Sequence, residues 1–400
     1  MPSEYKSGVR MVVSILGHGI VGKGVWDMLQ GKSGFTVRNV LVKKGEKTEP
    51  FMVESFEEVE KDDSELVIEC MGGVNPAFDF ASRCINAGKG FISSNKALVA
   101  AHGIELASMA RKRGVPFLFS AACGGAIPIL QNLYLARKSD SILWAGGILN
   151  GTTNYILDSM DRRGLSFADA LSEARALGYA EADPTADISG MDTMRKIILI
   201  SMVAYDVLPN SDYNLEGIES VTDKDFSVAK DMGYTIRLMG RCGLSQDGRL
   251  FAYVQPVLCP VTELFAGVRS NTNLAQYMGQ NSGLMGFSGQ GAGRYPTASA
   301  ILRDVWSVLS GQKQMLDEKC LVGFARNDSA ECEKSFFVRL DEDLVKQLEE
   351  KVGIDRIVKK SDGFSFLITR TISVRNMHDA VSELRRGGRN IFFAEMKEEA

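Results

Sequence analysis

Residues 11–16, Met-Val-Val-Ser-Ile-Leu, form a short apolar run that ends in Gly17-His18-Gly19-Ile20-Val21-Gly22. Val25, Met28 and Leu29 then recur at helical spacing. Strand, G-x-G-x-x-G, helix is the opening of a parallel sheet wound with helices, and few other folds accommodate it. The first glycine makes the turn, the second lets a pyrophosphate approach the backbone, and the third allows the helix to lie close on the strand. The N–H groups at the start of the helix then face the phosphates. Gly17, His18, Gly19, Ile20, Val21 and Gly22 are therefore read as the cofactor loop of a Rossmann-type dinucleotide-binding domain in an α/β protein. A glycine-rich turn without a ligand is the bland alternative.

The next strand, 36–42, ends in Lys43-Lys44, where an acid would bind the ribose 2′-hydroxyl of NAD. Two cations there either accept the 2′-phosphate of NADP or are ordinary solvated lysines. NADP is the expected cofactor, with NAD as the alternative. Residues 66–70 and 90–94 read as further strands, and each ends on the side of the sheet where ligands collect. Gly72 follows the first and is a cofactor candidate. Asn95-Lys96 follows the second as a loop, and Lys96 is an active-site candidate, weighed against an ordinary loop lysine. Residues 116–120 are another strand, followed by Ala121-Ala122-Cys123-Gly124-Gly125-Ala126-Ile127-Pro128 and a helix to about Ala136.

Beyond residue 138 the pattern changes. Residues 142–149 read as a strand, and Asn150-Gly151-Thr152-Thr153-Asn154 opens a helix through Met160. Residues 178–196, GYAEADPTADISGMDTMRK, gather charge just ahead of the apolar run 197–203. Pro184 and Gly190 interrupt any earlier helix, so one is expected from near Gly190 towards Tyr205. Asp192 and Lys196 are four apart and share a face of its first turns. On a solvated helix that pair is a surface ion pair worth a few tenths of a kcal/mol. Here the turns beyond are apolar nearly all round, which indicates a buried helix. Buried charges persist when they are paired or used. With Glu181 on the loop feeding the same turn, two carboxylates and a lysine suit a small zwitterion. The carboxylates would take its ammonium and the lysine a reacting oxygen.

Runs at 235–242, 250–258 and 274–278 then suggest a mixed α+β domain. Residues 283–293, GLMGFSGQGAG, are rich in glycine, and 296–309 form a helix returning to the nucleotide domain. Gly291, Ala292 and Gly293 are expected to close over the cofactor. From about Lys319 the sequence turns polar. Segments 336–340, 344–352, 356–360, 364–371, 377–385 and 391–396 then follow in βαββαβ, ferredoxin-like order. That order can enclose its own core, so a separately folding module is expected. It lacks the aromatic signature of an RNA-binding sheet, which favours regulation or dimerisation. The expected organisation is 1–138 completed by 290–318 for the nucleotide, 139–289 for substrate and dimerisation, and 319–400 for the tail.

A net charge of −4 and a pI near 5.7 leave no electrostatic footprint for nucleic acid. Cysteines 70, 84, 123, 242, 259, 320 and 332 are scattered without C-x-x-C, as free thiols in a reducing cytosol would be. Histidines 18, 102 and 378 offer little for a zinc site. No apolar run approaches membrane-spanning length. A cytoplasmic protein without nucleic-acid or membrane partners is expected.

GILNGTTNYIL (147–157) and the stretch 178–196 are similar to the two signature stretches of the homoserine dehydrogenase family. GHGIVG (17–22), SSNKALVA (93–100) and GQGAGRYPTASA (289–300) agree with it in kind and order, so the resemblance covers nearly the whole chain. It implies NAD(P)-dependent interconversion of L-homoserine and L-aspartate 4-semialdehyde, on the route to threonine, methionine and isoleucine. It carries the general acid/base role to Lys196, and homoserine binding to Glu181, Asp192, Asn150, Gly151 and Thr152. Lys96 falls on the family's second active-site lysine, beside the nicotinamide. The family's dimerisation through the middle sheet implies a homodimer or a larger homo-oligomer. The tail resembles the ACT regulatory module, which implies an amino-acid effector there, often threonine.

Two departures stand out. The family commonly has a glutamate where this chain has Ser120, and that glutamate helps loop carbonyls hold a sodium ion. The carbonyls of Cys123, Gly125 and Ile127 could remain as ligands, but without the carboxylate a hard monovalent cation is held weakly. An ACT module usually carries a glycine between its first strand and helix. Here Leu340-Asp341-Glu342-Asp343-Leu344 takes that place, so weak threonine feedback is expected.

The chemistry fits the residues by itself. Hydride leaves an alcohol carbon while the hydroxyl proton needs an acceptor, and in reverse the aldehyde oxygen needs a donor. A lysine serves both if burial or a second cation brings its pKa towards neutrality, and Lys96 would be that cation if it lies near Lys196. Two rivals remain at this point. One is an aldehyde dehydrogenase with Cys123 as nucleophile, for which no base is evident. The other is a nucleotide- and metabolite-sensing regulator without turnover.

Overall fold

The computed structural model describes residues 10–209, 213–245, 247–317, 324–325 and 328–397. The chain divides into two compact units. One comprises Met1–Ser139, Met202–Asp206 and Gln290–Gly323; the other Asp140–Ser201, Val207–Gly289 and Phe324–Ala400.

The first unit is built on a six-stranded, wholly parallel sheet. Its strands run in the order Met52–Val53, Phe35–Leu41, Met11–Leu16, Leu66–Glu69, Gly90–Ser93, Phe117–Leu118. Strand order reverses at Met11–Leu16, so the Gly17–Gly22 loop leaves the sheet at its switch point. Val13, Ile15, Leu16, Val67, Ile68, Phe91 and Ile92 are buried, as strands covered on both faces require. Helix Arg294–Leu309 returns to this unit and lies on helix Ile20–Leu29. A Cβ at Gly24 would stand 2.8 Å from the Arg294 carbonyl oxygen. Pro296 falls in the first turn of that late helix, where a missing N–H costs nothing.

Asn95-Lys96 is not a loop. Asn95 caps helix Lys96–Arg113, its side chain accepting from the N–H groups of Ala97 (3.1 Å) and Leu98 (3.2 Å). Lys96 is thus the first helical residue. Asparagine is a strong N-cap, so the cap chemistry was present in the sequence.

The second unit is built on a ten-stranded mixed sheet. Its main path runs Gly283–Gln290, Thr272–Gly279, Ile142–Ile148, Tyr234–Leu244, Leu250–Pro260, Phe392–Met396, Phe336–Asp341, Phe364–Thr369, Ile354–Ser361. The glycine-rich segment supplies an edge strand. Its conformation comes from pairing with Thr272–Gly279, not from β propensity. Helix Met191–Tyr205 crosses the face of Tyr234–Leu244. A Cβ at Gly240 would come within 2.6 Å of Ile197 and 2.8 Å of Thr193, so glycine permits the approach.

The tail has the expected βαββαβ order but is not a detached module. Phe392–Met396 pairs with Phe336–Asp341 on one edge and with Leu250–Pro260 on the other, Val257 opposite Glu395. Phe251 and Tyr253 share one apolar core with Phe336, Val338, Met377 and Phe393. Arg339, 1% exposed, reaches the fully buried Asp225 with Nε at 2.8 Å and donates to the Ser220 carbonyl at 2.7 Å. The tail therefore continues the middle sheet, and Phe251 and Tyr253 of that sheet join its core. The boundary expected at Lys319 lies outside the described residues. Among the described residues no helix is long and apolar enough to cross a membrane.

Candidate active site

Gly17 has φ +96°, and a Cβ at Gly22 would stand 2.0 Å from the Gly17 carbonyl oxygen. The turn therefore closes only on glycine at both places. A Cβ at Gly19 would meet no atom within 4 Å, which leaves the open approach a pyrophosphate needs. Helix Ile20–Leu29 starts without a side-chain cap and without an acid in its first turn, leaving N–H groups for an anion. The loop opens onto a cleft of about 1520 Å³ whose lining includes Gly17, His18, Gly19, Lys43, Lys44 and Gly72. Val21 and Gly22 lie behind it, and Ile20 is 73% exposed. Burial, then Lys23, lowers the His18 pKa. A Cβ at Gly125 would strike the Gly291 carbonyl carbon at 2.6 Å, so Gly291, Ala292 and Gly293 pass close to the 120–128 loop before entering helix Arg294–Leu309. These residues fit a dinucleotide.

At the carboxyl ends of the neighbouring strands a residue not singled out from the sequence ties two loops together. Glu69 is fully buried and accepts from Ser93 Oγ (2.6 Å), Met71 N (2.7 Å) and Asn95 Nδ2 (3.4 Å). Asn95 Nδ2 also donates to the Gly73 carbonyl at 2.6 Å. Burial pushes the Glu69 carboxyl up. Glu69 thus fixes both the Gly72-Gly73 loop and the cap ahead of Lys96. A glutamate ending the apolar strand Leu-Val-Ile-Glu was the available signal, since a charged group there must be paired.

In the second unit Lys196 and Asp192 are 7% and 5% exposed and form an i,i+4 ion pair at 2.8 Å. That burial decides against a solvated surface pair. Lys196 Nζ also donates to the Leu149 carbonyl. Asn150 Nδ2 donates to Asp192 Oδ2 at 2.8 Å and to Asp187 Oδ1 at 2.7 Å, while its own Oδ1 caps helix Gly151–Arg163 at Thr153 N. A Cβ at Gly151 would meet the Asn271 carbonyl oxygen at 2.7 Å. Thr152 Oγ1 donates to the Tyr179 carbonyl, drawing the loop towards Glu181 against that helix. The structure thus joins Asn150, Asp192 and Lys196 in one network, with Gly151 and Thr152 at its edge. It adds Asp187, which sequence spacing did not single out. Glu181 is exposed and stands outside the network.

In the 120–128 loop Ser120 has a carboxylate partner from elsewhere in the chain. Ser120 N and Oγ both donate to the fully buried Asp304, one oxygen each, the first at 2.9 Å. Burial pushes Asp304 up to about 7. Arg303 donates twice to the Ala126 carbonyl, at 3.1 and 3.0 Å, so a guanidinium already lies on the loop. Among the described residues no group of three or more His, Cys, Asp or Glu is placed to hold a metal ion. Cys123 is 1% exposed, an environment that leaves a thiol inert.

A chain that opens a pyrophosphate loop at the switch point of a parallel sheet, and keeps a lysine buried against a carboxylate elsewhere, sorts by fold with the nicotinamide-dependent dehydrogenases. The sequence profile described as "Homoserine dehydrogenase" matches residues 128–306, and that described as "Homoserine dehydrogenase, NAD binding domain" matches 17–120. A homoserine dehydrogenase of Corynebacterium glutamicum is 36% identical over 318 residues, 74% of this chain and 72% of that protein. One from Pseudomonas aeruginosa is 29% identical and spans 93% of this chain and 94% of its own. A crystal structure of a homoserine dehydrogenase from Thiobacillus denitrificans superposes with a TM-score of 0.87 at 28% identity, covering 97% of this chain and 98% of that one. The chain belongs to the homoserine dehydrogenase family. Its activity is that of an NAD(P)-dependent oxidoreductase acting on homoserine, and the cysteine-nucleophile and sensor readings give way to it.

Proposed function

We propose that Lys196 is the proton carrier for the interconversion of L-homoserine and L-aspartate 4-semialdehyde. The observation that carries this is the buried Lys196–Asp192 pair, oriented by Asn150. When bound, the nicotinamide supplies or accepts the hydride. Lys196 takes the substrate hydroxyl proton in one direction and returns it to the aldehyde oxygen in the other. Asp192 and the exposed Glu181 receive the substrate ammonium, and Asn150, Gly151 and Thr152 complete its seat. This holds the reacting carbon in place. Lys96, at the carboxyl end of its strand, serves the nicotinamide end of the nucleotide unit.

NADP is the preferred cofactor, because two cations, Lys43 and Lys44, follow strand Phe35–Leu41 where an acid would bind the ribose of NAD. A hyperthermophilic archaeal homoserine dehydrogenase mutant, similar in fold, is described in complex with NADPH. The chain works in the cytoplasm as a homodimer or larger homo-oligomer formed through the middle sheet. The exposed Leu143, Leu284 and Met285 on its strands support that face. The tail is an ACT-like regulatory module built onto that sheet, and sodium is held weakly or not at all.

Steady-state kinetics of Glu181→Gln test the substrate assignment. The homoserine KM should rise about tenfold, the loss of roughly 1.4 kcal/mol, with kcat little changed. An unchanged KM would remove Glu181 from the site.

A further inference from the structure

We propose that a cavity where the tail strand Phe392–Met396 joins the middle sheet binds a small apolar L-amino acid, its carboxylate on Arg241 and Lys334 and its ammonium on Glu395. The cavity holds about 200 Å³. At ~30 Å³ for each water-sized group, that is room for six or seven such groups.

Glu395 is 5% exposed, and its two oxygens differ. Oε2 accepts from Tyr253 Oη at 3.1 Å and from Gln255 Nε2 at 2.9 Å. Oε1 faces Arg241 NH1 at 4.0 Å and Lys334 Nζ at 3.8 Å, both beyond hydrogen-bond length. Two cations thus lie at ion-pair distance from one carboxylate oxygen without a hydrogen bond to it. Arg241 Cζ lies over the Trp144 ring, 4.5 Å from its centroid, and its buried Nε has no hydrogen-bond partner. A guanidinium with an unpaired donor can receive a carboxylate on its fork of N–H groups.

The charges lining the cavity are unequal. Arg241, Lys334 and Lys397 face one carboxylate, Glu395. Lys397 is neutralised from outside by Glu263 at 2.7 Å. One positive charge remains in excess, which favours a ligand carrying a carboxylate. Glu395 Oε1 gives an ammonium its partner, and Met239, Val257 and Phe265 offer an apolar wall to a side chain. The cavity's lining includes no residue of the tail's first loop, Leu340–Leu344, and neither Lys196, Asp192 nor Asn150. Its two halves come from different parts of the chain, Arg241 from the middle sheet and Lys334 with Glu395 from the tail. An occupant would fasten one to the other.

The test is calorimetric titration and thermal melting of the full chain with L-valine, with 3-methylbutanoate lacking the ammonium, and with isobutylamine lacking the carboxylate. Valine should bind saturably and raise the melting temperature. The carboxylate alone should bind more weakly, and the amine should not bind. Arg241→Gln and Lys334→Gln should each weaken valine about tenfold, and Lys334→Gln should leave turnover unchanged. Lys196→Met should leave valine binding intact. Absence of saturable valine binding overturns the proposal, as does binding indifferent to both Arg241→Gln and Lys334→Gln. Loss on Lys196→Met would place the ligand in the substrate seat and overturn it too. Equal binding of 3-methylbutanoate and valine would remove the role of Glu395.

Discussion

Asp304 is shut away from water with both oxygens bonded to Ser120, and burial still holds its pKa near 7. Its pKa is raised above the unfolded value of 3.8. The protonated form therefore contributes stability that is fully present below about pH 4 and is lost as pH rises through 7. Asp304→Asn keeps a donor and an acceptor for Ser120 and removes the titration. Its stability advantage over the wild type should grow from pH 4 to 7 and level off above. Urea unfolding at several pH values reads this directly, and a difference independent of pH would show that Asp304 does not titrate there. Lys43 and Lys44 belong to the same scale. A charge-assisted hydrogen bond is worth roughly 1.5–3 kcal/mol, so the double change to Ala should weaken NADPH at least about tenfold and leave NADH nearly unaffected. Equal losses for both cofactors, read by fluorescence titration, would show that the pair does not touch the 2′-phosphate.

Among the elements, the tail departs most from its sequence pattern. Periodicity gives its βαββαβ order, but it does not say whether an edge strand stays free. Here Phe392–Met396 is claimed on both sides, and Arg339 crosses to the buried Asp225. Removing one partner of such a pair costs about 3–5 kcal/mol. Arg339→Met should lower global stability by that amount in denaturant unfolding, with a single transition. Truncation after Asp317 should leave no folded enzyme. A soluble truncated chain with full turnover would contradict this. The glycine loop at 17–22 was legible because Gly17 and Gly22 answer steric demands of the turn and Gly19 leaves the approach open. The helix beginning at Lys96 was less so, since Asn95 reads equally as a turn residue and as a cap. Strand Gly283–Gln290 was not legible, because pairing and not propensity sets it. The role of Glu69 depends on Ser93 and Asn95, more than twenty residues away, a convergence that spacing cannot show. Ser120 could be marked as a departure from the resemblance, but its partner Asp304 is 184 residues distant.

At the scale of the whole molecule the central claim is that one buried lysine moves the proton while a glycine loop in the other unit holds the nucleotide. The two functions should then fail separately. Lys196→Met keeps most of the side-chain stem and removes the charge and the proton. A positioned acid/base contributes ~10²–10⁴-fold, so turnover should fall at least about a hundredfold while NADPH affinity barely changes. The direct measurement is NADPH oxidation with L-aspartate 4-semialdehyde by wild type and Lys196→Met from pH 6 to 10, with cofactor binding followed by fluorescence. The account predicts rapid oxidation by the wild type without added phosphate or coenzyme A, and its near loss in the variant at unchanged NADPH affinity. Wild-type turnover by Lys196→Met across that range would contradict it and make Lys96 the next residue to test.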